Sequence, residues 1–124
     1  MKTKKYLFKN RVVVFREPYG WVAQGLDYDY AAQGSRPSTA LKHFETAMMH
    51  QAILDIACGY RPFCNSKSAP ELYWKIFNGD FAHYSRHIIK FVLTQKGEGN
   101  NVSFTTKFNN EKLKLGDHAD AKRM

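Results

Sequence analysis

The segment Arg11-Val12-Val13-Val14-Phe15-Arg16-Glu17 is β-branched and runs straight into Pro18-Tyr19-Gly20. Glu17 to Gly20 carries Pro in the second turn position and Gly in the fourth, so a hairpin is predicted. The returning strand is Trp21-Val22-Ala23-Gln24-Gly25-Leu26. Asp27-Tyr28-Asp29 supplies a second turn, and Tyr30-Ala31-Ala32-Gln33 reads as a third short strand. A chain opening this way is expected to form a three-stranded antiparallel meander that needs a cover for its apolar face.

The cover comes next. Ser35 is placed to cap free backbone N–H groups and Pro37 suits a first helical turn. Leu41, Phe44, Met48, Ala52 and Ile56 then recur every three or four residues, up to a stop at Gly59. Residues 60–68 read as a loop. Ser68-Ala69-Pro70-Glu71 matches a capping box, and Leu72, Trp74, Ile76 and Phe77 follow as a second, shorter helix ending at Asn78-Gly79. Residues 80–86 fit helix or strand. Ile88–Thr94 is rich in strand formers, Lys96–Asn100 is a turn, and Val102, Phe104, Thr106 and Phe108 alternate with polar residues. The late hairpin these imply either extends the first sheet or stands apart, and residues from Asn110 on are expected to fray.

The expected fold class is therefore α+β: a three-stranded antiparallel meander packed on a long helix (β-β-β-α), followed by a second helix and a C-terminal β-hairpin. With 124 residues and 44% apolar content, one domain is expected over 1–124. Its core is 11–59, its extension 60–109 and its polar tail 110–124.

Charge is uneven along the chain. Residues 1–16 are +6, residues 17–59 are −3 and residues 60–124 are +5, giving the net +8. A Lys-rich terminus is most often a solvated tail. The functional reading makes it a phosphate-contacting surface, in which Lys4, Lys5, Lys9, Arg11, Arg16, Arg86 and Lys90 bind RNA or DNA. Tyr6, Phe8, Tyr19, Trp21, Tyr28 and Tyr30 interleave with these cations and could stack on bases, although most of the 18 aromatic residues are needed for the core. No apolar run reaches membrane-spanning length and the start lacks a signal-peptide stretch, so no membrane partner and a cytoplasmic location are expected.

Catalytic constellations are sparse. Asp27 and Asp29 bracket Tyr28 and read as turn formers rather than cation ligands. Cys58 and Cys64 have too long a spacing to join His83 and His87 in a structural zinc site, and read as buried free thiols in a reducing compartment, with the histidines at the surface. Gly97-Glu98-Gly99 sits in a hairpin turn with no helix after it, so it is no phosphate loop. Cys64 has no base beside it in the sequence pattern. No catalytic residue, metal or cofactor is expected.

The set Trp21-Val22-Ala23-Gln24-Gly25-Leu26, Ala31-Ala32-Gln33-Gly34-Ser35 and Ala40-Leu41 with Phe44 resembles the HicB antitoxin family over about residues 11–57. The resemblance implies a partial ribonuclease H core and a non-enzymatic, antitoxin-like inhibitor that sequesters a protein partner. The nuclease carboxylates are missing, since the first strand offers only Glu17 at its end. The net −3 of residues 17–59 suits a basic, toxin-like partner, and Tyr19, Trp21, Asp27, Tyr28 and Asp29 around the meander loops are the candidate contacts. A homodimer through an exposed strand edge is also expected.

Overall fold

In the computed structural model, which describes residues 2–79 and 85–113, Thr3–Glu17 forms a fifteen-residue strand, β1. β2 is Gly20–Gly25 and β3 is Ala31–Gly34. Helix α1 is Pro37–Ala57, helix α2 is Glu71–Asn78, and the chain ends in β4, Ser85–Lys96, and β5, Ser103–Leu113. The five strands make one antiparallel sheet in the order β3-β2-β1-β4-β5. The α+β class is thus what the structure shows.

The valine run explains why β1 is central. Successive strand residues point to opposite faces. Val12 and Val14 pack with Ala40, Phe44, Met48 and Ala52 of α1 and with Ile89, Phe91 and Leu93 of β4. Val13 and Phe15 point the other way, into a second core with Val22, Ile88 and Leu113 beneath Trp74 and Phe77 of α2. All three valines are fully buried, which contributes about 1.5–3 kcal/mol each.

Several boundaries differ from expectation. The Lys-rich start is no tail: Thr3 to Asn10 is strand, paired with β4 residue by residue from Thr3↔Lys96 to Val14↔Ser85. The late hairpin extends the first sheet through that same pairing. The polar end is ordered further than anticipated, since β5 continues to Leu113 and buries it against the α2 core. Residues 114–124 lie outside the described residues, as do 80–84, whose helix-or-strand ambiguity is therefore left where it stood.

Neither anticipated cap forms. The residue before α1 is Arg36, with no side-chain cap bond, and Pro37 opens the helix. Close packing sets this corner instead: a Cβ added to Gly34 would sit 2.4 Å from the Ala40 backbone nitrogen, so strand and helix meet where only glycine fits. The residue before α2 is Pro70. The Ser68 hydroxyl is engaged elsewhere: it donates to the Leu26 carbonyl at 3.3 Å and accepts from Trp74 Nε1 at 3.1 Å.

Candidate nucleic-acid interface

α2 is eight residues long and covers only one end of its face of the sheet. It reaches as far as Arg11, whose guanidinium lies 5.0 Å from the Trp74 ring. Beyond Arg11 no helix of the described residues lies over this face of the strands. The register then puts Lys9 opposite Lys90 and Lys90 opposite Asn109, Leu7 opposite Val92 and Val92 opposite Lys107, and Lys5 opposite Thr94 and Thr94 opposite Thr105. All of these share the α2 side of the sheet, because they keep the alternation that places Val13 and Ile88 under α2.

The result is a basic ledge with a small apolar centre. A shallow depression of about 490 Å³ is lined by Leu7, Lys9, Lys90, Val92, Lys107 and Asn109, together with backbone of Phe8 and Phe91. Lys5, Thr94, Thr105 and Lys107 border an adjoining hollow. Among the described residues no Asp or Glu lines either one. Leu7 is 78% exposed, an unusual place for a leucine in the middle of a sheet. Lysines directly opposite each other on neighbouring strands repel, so this pairing weakens the sheet unless an anion lies over it.

The seven cations anticipated for nucleic acid divide. Lys5, Lys9 and Lys90 share the ledge. Lys4 points to the opposite face, with its Nζ 5.2 Å from the Tyr6 ring. Arg16 is exposed opposite Trp21, also on the α1 side. Arg11 and Arg86 have internal roles. The Arg11 Nε donates to Asp27 Oδ2 at 3.0 Å and its Nη2 to Asp27 Oδ1, and this hydrogen bonding raises the Arg11 pKa. Arg86 is buried, donates from Nη1 to the Phe77 carbonyl at 3.3 Å, and lies over the Phe77 ring.

The meander-loop residues do not form one patch. Tyr19 is fully exposed at the β1–β2 turn, whereas Trp21 is half-buried against the α1-side core. Asp27 also accepts the Arg11 backbone N–H at 2.7 Å, so two residues assigned in sequence to separate surfaces hold each other. Asp29 Oδ1 accepts from Gln24 Nε2 at 2.7 Å, and the Tyr28 ring stacks on Phe63 at 4.6 Å. The turn itself hangs on Asn10, a fully buried side chain whose Oδ1 accepts from the N–H groups of Leu26, Asp27 and Tyr28 at 3.1, 2.9 and 3.3 Å.

Thiols and histidine exchange the places expected of them: Cys58 and Cys64 are both exposed and free, and His87 is buried on β4 with Nε2 2.9 Å from the Ser85 hydroxyl. His83 lies outside the described residues. Among the described residues no three His, Cys, Asp or Glu side chains gather as a metal site would require. Nor is any helix there long and apolar enough to cross a membrane.

Sequence reasoning missed Lys107 and the threonines Thr94 and Thr105. Lys107 was visible as a polar residue in an alternating strand, but only the β4–β5 register brings it beside Val92 and into the depression. No family model, curated protein or solved structure matches this chain. The ledge is therefore read from its own geometry.

Proposed function

We propose that this is a non-catalytic nucleic-acid-binding protein that grips the sugar-phosphate backbone with Lys5, Lys9, Lys90 and Lys107. The observation that carries the reading is the opposition of Lys9 and Lys90 on an exposed sheet face, at a depression that no carboxylate among the described residues lines. Ammonium groups neutralise phosphate, and the Thr94 and Thr105 hydroxyls can donate to its oxygens. Among the described residues the lining offers no aromatic ring for a base to stack on, because Phe8 and Phe91 direct theirs into the α1-side core. Binding is consequently backbone-directed and indifferent to base sequence.

The test is fluorescence anisotropy with a labelled mixed-sequence oligonucleotide across a salt series. Four phosphate contacts give a log–log slope of about −3 to −4. The double variant K9E/K90E is expected to abolish binding, while K4E, on the other face, retains most of it. Affinity that is flat with salt, or lost equally in K4E, would falsify the assignment. The meander loops offer a protein partner only Tyr19 as a large exposed side chain, so the inhibitor reading has the smaller physical basis of the two.

A further inference from the structure

The sheet ends in two unlike edges. β3 is four residues long, and its last residue, Gly34, is closed off by the start of α1. β5 is eleven residues long and holds unbroken register with β4 from Ser103↔Lys96 to Leu113↔Arg86. It contains no Pro and no bulge, and of the devices that normally blunt an edge it carries only charged side chains, Lys107, Glu111 and Lys112. Its length is about 36 Å at the usual rise per residue. Among the described residues no other strand pairs with it, so its outer row of backbone N–H and C=O groups faces outward as a template.

We propose that β5 pairs antiparallel with β5 of a second copy, about a two-fold axis at Asn109, joining two five-stranded sheets into one of ten strands. A two-fold pairing of identical antiparallel strands places residues at equal distances either side of the axis opposite each other. Lys107 and Glu111 stand two residues either side of Asn109 and share one face. This axis therefore sets Lys107 against Glu111 of the partner subunit, twice. An axis at Lys107 would oppose two lysines, and one at Phe108 would set Lys107 against an asparagine and form no ion pair. On the other face Thr106 meets Lys112 and Phe108 meets Asn110, with no like charges opposed. The strand is complementary to itself, and that selects a second copy over an unrelated chain as the occupant.

The pairing draws one residue, Lys107, from the ledge, its association is read without nucleic acid, and it has a consequence for the remaining lysines. Lys5, Lys9 and Lys90 of the two copies lie on one continuous face, with the β4 strands three spacings apart, about 14 Å. A polyanion long enough to reach both clusters engages them together and gains by effective concentration.

Sedimentation equilibrium over a wide concentration range reads the association directly. The wild-type chain is expected to dimerise. K107E and E111K, each of which opposes like charges twice, are expected to raise the dimer dissociation constant by roughly tenfold or more. The double swap K107E/E111K is expected to return it to near the wild-type value. In a C58S/C64S background, N109C is expected to form a disulfide-linked dimer under mild oxidation, since facing Cα atoms of a strand pair lie within disulfide range. A wild-type chain monomeric at every concentration overturns the proposal. So does a dimer indifferent to both reversals, or one in which N109C fails to cross-link.

Discussion

At the scale of single residues, Asn10 organises the turn. Its Oδ1 gathers three consecutive backbone N–H groups, and its Nδ2 donates to the Tyr28 carbonyl at 3.2 Å. Replacing it by alanine leaves the Asp27 and Tyr28 N–H groups without that acceptor, while Leu26 N–H keeps the Arg11 carbonyl at 2.8 Å, and Asn10→Ala is expected to lower stability by about 3 kcal/mol, read by urea unfolding. His87 gives a second expectation. Burial, with Lys112 nearby as a smaller cause, lowers its pKa from the ordinary 6.5 to about 4. The folded state thus holds the ring neutral while the unfolded chain takes up a proton. The stability this contributes is complete above pH 6.5 and is lost as pH falls from 6.5 towards 4, on the order of 3 kcal/mol in all. A pH series of urea midpoints should show that decline, and His87→Gln should flatten it. None of this was legible from sequence. An isolated asparagine before a valine run carries no pattern, and Asp27 reads as a turn former until the fold sets Arg11 beside it.

Elements were easier to read than residues where burial was one-sided. The alternation over Val102–Phe108 and the apolar stripe Leu41 to Ile56 both gave real elements, β5 and α1, because each element has one face in the core and one outside. The first ten residues failed for the opposite reason. Leu7 lies on the open ledge while Tyr6 and Phe8 face the core, so apolar residues occupy both parities and the period of two is lost. What defines that half of β1 is its eight successive pairs with β4, from Thr3↔Lys96 to Asn10↔Ile89. Hydrogen exchange is the decisive measurement: β1 amides between Lys4 and Asn10 that bond to β4 should be protected far beyond free-chain rates. Free-chain exchange there would return the segment to the solvated tail that its composition suggests. The aromatic row across the sheet is the corresponding packing test. Phe91 lies 4.8 Å from Phe8 and 5.0 Å from Phe108, ring centre to ring centre, and Phe91→Ala should cost about 3–5 kcal/mol.

For the whole molecule, the meander, both helices and the late hairpin were each visible in the sequence, but their assembly was not. The pairing of β1 with β4 joins residues some ninety positions apart in sequence at its far end, and no local signal reports it. The candidate site lives in that pairing. Lys9 and Lys90 are unremarkable lysines until the register opposes them, and the basic residues that looked most like a cluster, Lys4 with Lys5, are parted onto two faces by strand geometry.

The brevity of α2 has a further consequence. Because the helix stops short, the residues of β1 on its α2 side are covered from Arg11 onward while Lys5, Leu7 and Lys9 are left open, so the lysines can be altered without touching the core on either face. Lys9 and Lys90 repel across the sheet, and Lys9→Thr with Lys90→Thr should raise the unfolding midpoint even as it removes binding. The ledge would then be a stability–activity trade-off confined to one register row, and a thermal melt of that double variant beside its anisotropy curve would display both sides of it.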